Sequence, residues 1–178
     1  MGTTKIADAG DIEDCIIRYE DLGSRKSSYR PIDMVLPRFD RERYSVVGRG
    51  SEGTSKAKRT GDVEAFSIVY LKIASGNGVG AHAHATPEVF IPMSGIWEVE
   101  MEGRKTNVEP WDVIAVPPGV MHGLTNVGKT DAVIMAINGG HAGVPIYFEP
   151  ALLDEIKRAG GNVREVDYPP GSAPAKAG

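Results

Sequence analysis

The 178-residue chain is 41% apolar and 25% charged, with a formal net charge of -4 and a pI near 5.6. That length suits one domain with one substantial core. The mildly acidic balance, with no helix-turn-helix or zinc-finger pattern, argues against nucleic acid as a partner.

A single cysteine, Cys15, allows neither an internal disulfide nor a thiolate zinc cluster, so any metal must be held by imidazole and carboxylate. Beside Ile16 and Ile17, Cys15 reads as a small buried apolar residue. The opening residues 1–14 are polar and acidic, without the apolar centre of a signal peptide. The longest uncharged apolar run, Ala132 to Ile137, is too short to span a bilayer. These features predict a cytoplasmic protein with no membrane partner.

In chain order, residues 1–48 show no sustained helical period and read as an N-terminal arm with one or two strands. Residues 49–62 are polar and Gly-rich, the composition of an exposed loop. Their basic character also fits a lid over an anionic substrate, but a solvated connection is the simpler reading. Residues 63–148 form the predicted barrel: from Ala65 to Ala136, short runs rich in Val, Ile, Phe and Tyr are broken by Gly and Pro at brief intervals. The chain's 22 Gly and 12 Pro fit that punctuation.

Predicted strands cover Phe66 to Ile73, Val89 to Met93, Ile96 to Met101, Val113 to Val116 and Ala132 to Ile137. A turn at Glu102-Gly103 starts a further short strand. Trp97, Val99 and Met101 alternate with Glu98, Glu100 and Glu102, so that strand has one apolar and one wet face. Residues 149–168 open with a helix: Pro150 suits its first turn, Leu152, Leu153 and Ile156 share a face, Lys157 and Arg158 favour its last turn, and Gly160 stops it. Residues 169–178 lack the apolar content to offset their ordering entropy and read as disordered.

The chemistry gathers around the histidines, of which the chain has four. In His82-Ala83-His84, residues two apart on a strand project to the same side, so both imidazoles can reach one point. Thr86-Pro87 interrupts the strand and can bend Glu88 back toward that point. His122, after Pro117-Pro118-Gly119, is placed to add a third imidazole from a neighbouring strand. Three imidazoles and one carboxylate suit Fe, Mn, Ni, Co or Zn, and not Ca or Mg.

These residues resemble the two motifs of the cupin superfamily. The first, G-x5-H-x-H-x3-E-x6-G, is met by Gly76, His82, His84, Glu88 and Gly95. The second, G-x5-P-x-G-x2-H-x3-N, is met by Pro117, Gly119, His122 and Asn126, with Trp111 in place of its opening glycine. Glu109-Pro110-Trp111-Asp112 can accommodate that change as a type I turn, which needs no positive φ.

The resemblance spans roughly Phe66 to Ala136. It implies an all-β jelly-roll (double-stranded β-helix) barrel of the single-domain kind, with one divalent metal per chain on His82, His84, Glu88 and His122. Fe(II) is favoured; Mn, Ni, Co and Zn remain open. Some cupins have lost their metal, but several polar groups converging in an apolar barrel without an ion would be costly.

Among such proteins the pattern is most similar to quercetinase-like dioxygenases. That implies an Fe(II) enzyme using O2 on a small oxygenated substrate, a diketone, enol or hydroxyaromatic, with Glu88 as ligand and catalytic base. A non-redox Zn or Mn decarboxylase, lyase or isomerase is the alternative; a metal-containing binding module without turnover is another. Phe90 and Trp97 are candidates to line a substrate pocket. His141, outside both motifs, is either an acid-base group near the barrel mouth or an exposed loop histidine. Cupins commonly form dimers, so a homodimer is expected.

Overall fold

The structure is a computed structural model that describes residues 12–23, 25–26, 35–48, 63–140 and 145–162. The basic loop 49–62, His141 and the tail 169–178 lie outside the described residues. The strands in chain order are β1 (Arg25–Lys26), β2 (Glu42–Val47), β3 (Phe66–Ile73), β4 (Gly78–Ala83), β5 (Glu88–Pro92), β6 (Trp97–Met101), β7 (Arg104–Val108), β8 (Ile114–Val116), β9 (His122–Asn126), β10 (Ala132–Gly139) and β11 (Tyr147–Phe148). An α-helix, α1 (Pro150–Arg158), follows.

All pairings are antiparallel, in a six-stranded sheet ordered β1-β2-β3-β10-β5-β8 and a five-stranded sheet ordered β11-β4-β9-β6-β7. Neighbouring strands are often distant in sequence, as a jelly roll requires. Period-2 alternation makes the core: on β3, Val69, Leu71 and Ile73 are buried while the residues between them are half-buried. They meet Trp97, Val99 and Leu124 of the facing sheet in one cluster.

The N-terminal arm contributes β2, which pairs with β3 of its own chain from Glu42↔Lys72 to Val47↔Ile68. The barrel therefore begins well before the segment that carries the motifs. A second cluster forms where Leu36 meets Phe148, Leu152, Leu153 and Ile156, so α1 packs against the arm. Arg38 donates two hydrogen bonds to the Glu155 carboxylate across that junction. Pro150 opens the helix and Gly160, at φ 86°, lies just past its end. Among the described residues, no helix is long and apolar enough to cross a membrane.

Two expectations are corrected. Cys15 is exposed, because its 3-10 segment Ile12–Cys15 lies on the surface and buries none of its residues. The turn at Glu109-Pro110-Trp111-Asp112 does need a positive φ: Asp112 N donates to Glu109 O at 3.1 Å, and Trp111 sits at φ 76°. That is the type II arrangement, which favours glycine at its third position. The motif glycine is thus replaced by a residue that must adopt the glycine conformation. Trp111 is 73% exposed, so little burial offsets the strain.

Trp111→Gly is therefore expected to stabilise the fold by up to about 1 kcal/mol, since the left-handed penalty of an L-residue exceeds the extra chain entropy of glycine. Thermal melts should show Tm rising by about 2–4 °C; an unchanged or lower Tm would contradict the strain argument.

Candidate metal centre

Four ionisable residues are buried together at one end of the interior: His82, His84, Glu88 and His122, exposed by 4%, 6%, 5% and 2%. Each arrives from a different local cause. β4 carries His82 opposite His122 of β9, with the register shifted between Val79 and His82. The strand ends at Ala83, so His84 lies just beyond it, and residues 84–87 turn the chain into β5, which opens with Glu88. The Pro117-Pro118-Gly119 turn is tied to this corner by the Gly119 N–H, which donates to His84 O at 2.7 Å.

Glu88 Oε2 is the common neighbour. It lies 3.0 Å from His122 Nε2, 3.3 Å from His84 Nε2 and 3.7 Å from His82 Nε2. Ligand atoms about 2.1 Å from one ion stand about 3 Å apart when adjacent and about 4.2 Å apart when opposite, so these spacings suit a shared ion. The ligand atoms of His82, Glu88 and His122 all lie within 4.8 Å of one another. His84 stands at the edge of that trio, its ring centroid 6.3 Å from that of His122 and 5.0 Å from that of His82.

The outer nitrogens fix the tautomers. His82 Nδ1 bonds Gly80 O at 2.8 Å, His84 Nδ1 bonds Pro145 O at 3.0 Å and His122 Nδ1 bonds Val120 O at 3.0 Å. A carbonyl only accepts, so each Nδ1 carries the hydrogen, and a ring in its neutral form turns its Nε2 lone pair toward Glu88. Three lone pairs and a carboxylate aimed at one buried point repel unless a cation lies among them. This donor set fits a borderline-soft divalent ion, with every imidazole held as metal-ligating histidines commonly are.

The ionisation states agree. Burial pushes His82 down to about 4, with only partial opposition from Glu88. Burial alone would raise Glu88, but hydrogen bonds from His122, His82 and His84, formed whenever Nε2 carries a proton, more than offset it and hold the carboxyl well below its ordinary value. Neutral imidazole and ionised carboxylate are the forms that bind metal.

Of the other candidates, Phe90 is 1% exposed with its ring centroid 5.6 Å from that of His122, so it walls the site. Trp97 is fully buried, but it pairs with Asn126, four residues along β9 from His122, or roughly 13 Å at strand rise. Its Nε1–H donates to Ser94 O. Trp97 thus belongs to the core of the far half of the barrel.

Asn126 is also structural: its Nδ2 donates to Ile73 O and Thr130 O while Oδ1 accepts from Gly128 N. Gly95, at φ 78°, lies against Ala132, whose Cβ would stand 2.4 Å from an added Cβ. The motif therefore mixes ligands with residues that close the opposite end. Sequence reasoning missed the carbonyls of Gly80, Val120 and Pro145, because a backbone acceptor has no residue signature. It also missed Phe148, whose ring lies 6.1 Å from His82 and whose pairing partner on β4 is His82 itself.

The family model of the cupin domain matches residues 69–138. The matched stretch resembles a cupin domain, and the barrel has the cupin fold. The chain is 24% identical over 131 residues to a 5-nitrosalicylic acid 1,2-dioxygenase from Bradyrhizobium sp., an alignment covering 73% of this chain and 62% of that protein. The chain therefore spans less than two thirds of that relative's length.

Among solved structures, a sugar phosphate isomerase of the cupin superfamily from Silicibacter pomeroyi aligns with a TM-score of 0.56 and 15% identity, covering 76% of this chain and 82% of that one. A "predicted oxalate decarboxylase" from Thermotoga maritima aligns with a TM-score of 0.55 and 16% identity, covering 70% and 98%. At these identities the structures support the cupin fold and no particular reaction.

For the metal-free protein, the His82 shift sets a sign. Its folded value near 4 lies below its ordinary 6.5, so on acidification the unfolded chain binds the proton first. Stability should be full above about pH 6.5 and fall toward pH 4, with the depressed Glu88 adding loss of the same sign at lower pH. Thermal melts across that interval test this. His82→Gln should flatten the dependence, and a wild-type Tm that rises on acidification would contradict it.

Proposed function

We propose that this cupin is an Fe(II)-dependent dioxygenase acting on a small hydroxyaromatic acid. The observation that carries the reading is the donor set: His82, Glu88 and His122 bring ligand atoms within 4.8 Å of one another, and His84 Nε2 lies 3.3 Å from Glu88 Oε2. Two imidazoles and a carboxylate, with a third imidazole at the edge, are suited to non-haem Fe(II) with positions left open. The dioxygenase relative supports the reaction class. A salicylate presents a hydroxyl beside a carboxylate, two oxygens disposed to chelate one ion.

Bound Fe(II) would supply open coordination positions and the redox chemistry that O2 requires. The protein's own part is positional and acid-base. The carbonyls of Gly80, Pro145 and Val120 hold the three rings with Nε2 inward. Glu88, buried among the three imidazoles, would take the substrate's hydroxyl proton on a carboxylate oxygen. Phe90 excludes water beside His122.

Protein purified without added metal or chelator should carry about one Fe, Mn, Ni, Co or Zn per chain. The Fe(II)-loaded protein should consume O2 with a salicylate, catechol or diketone. Glu88→Gln should slow turnover by about a hundredfold or more. Turnover that continues at the same rate without O2 would refute the oxygenase reading in favour of non-redox Zn or Mn decarboxylase, lyase or isomerase chemistry.

We also propose that two copies pair through the outer face of the six-stranded sheet. Apolar side chains run straight across it in two rows: Tyr44, Tyr70, Met135 and Ile91, then Ile68, Ile137, Val89 and Ala115. Tyr19 rests on one edge, its ring centroid 6.0 Å from that of Tyr44 and 6.3 Å from that of Tyr70. In a two-fold pair each copy would present this same face to the other. Light scattering should give twice the 19.0 kDa chain mass, and Ile137→Lys should return it to 19.0 kDa with metal content kept. A monomeric wild type at micromolar concentration would exclude the dimer.

A further inference from the structure

The hairpin turn between β6 and β7 is Glu102-Gly103, with φ of 48° and 75°. Two consecutive left-handed residues make a type I′ turn, whose first position suits Asn, Asp or Gly and strains a glutamate. The strained residue makes two contacts with Met121, the neighbour of His122. Its backbone N–H donates to Met121 O at 3.0 Å, and its Oε1 accepts the Met121 N–H at 2.8 Å.

That Met121 N–H belongs to the peptide unit whose carbonyl is Val120 O, the acceptor of the His122 Nδ1–H at 3.0 Å. One peptide group therefore joins a carboxylate to an imidazole, and the chain of bonds ends at His122 Nε2, 3.0 Å from Glu88 Oε2. A peptide whose N–H is held by a carboxylate is polarised toward its oxygen and accepts more strongly. An imidazole whose Nδ1–H is held more strongly has a fixed ring and a more basic Nε2.

We propose that Glu102 is a positioning residue of the metal centre: acting through the Val120–Met121 peptide, it orients His122 and strengthens its Nε2 as a donor. A carboxylate commonly holds a ligating histidine directly; here one peptide unit is interposed. The proposal rests on reading His82, His84, Glu88 and His122 as a metal site. It also accounts for a glutamate in a turn position where glycine would be relaxed.

The test uses full-length protein, Co(II) as probe and a chromophoric chelator as competitor. Glu102→Gly relieves the backbone strain and removes the carboxylate. Its metal-free Tm should be unchanged or higher, while Co(II) affinity should weaken by about three- to tenfold, below the effect of losing a direct partner, with a shifted Co(II) absorption band. Glu102→Gln keeps an acceptor without the charge and should fall between the two.

Wild-type binding of Co(II) with both variants unchanged overturns this proposal alone. Weakening that only tracks a lower metal-free Tm also overturns it, since Glu102 would then serve the fold. A wild type that binds no Co(II) overturns both this proposal and the metal-site reading.

Discussion

Everything distinctive in this molecule depends on one arrangement, a buried carboxylate facing three imidazole lone pairs. Glu88 Oε2 lies 3.0 to 3.7 Å from three Nε2 atoms whose outer nitrogens are all committed to carbonyls. While neutral, none of the rings can turn a hydrogen inward without giving up its bond to a carbonyl. The cluster could therefore hold a cation, and its apolar surroundings make leaving it uncompensated costly.

The barrel divides along its axis into two halves with different tasks. One end is closed by apolar packing and by a fully bonded amide: Trp97 and Phe90 are among the largest fully buried side chains, and Asn126 bonds the backbone on either side of it. At the other end the chain leaves regular structure between His84 and Glu88 and again around Pro117–Gly119, and there the polar groups collect. Phe90 belongs to both halves, packed in the core and set against His122. The arm and α1 reach the site indirectly, because their cluster includes Phe148, which pairs with His82.

The structural neighbours share this scaffold while bearing names that span an isomerase and a decarboxylase, which is what a fold hosting many activities produces. Reaction class is decided by the ion, the open positions and the walls, which the shared scaffold does not fix. The exposed Trp111 and the hairpin Glu102 show that this chain places side chains where glycine conformations are required, and only Glu102 gains a hydrogen-bonded partner beside a ligand from doing so.

Much of this was legible in the order of residues. Strand period, the Gly and Pro breaks, the helix from Pro150 and the spacing of His82, His84, Glu88 and His122 are local signals, set by side-chain direction and turn chemistry within a few residues. What no local pattern carries is which distant backbone groups come to face which side chains. The carbonyl of Pro145 beneath His84, the left-handed Trp111, the exposure of Cys15, the pairing of β2 with β3 and the placing of Trp97 away from the ligands all follow from how the two sheets close on each other. Packing and hydrogen bonding between segments far apart in sequence settle these points, and only the folded chain brings those segments together.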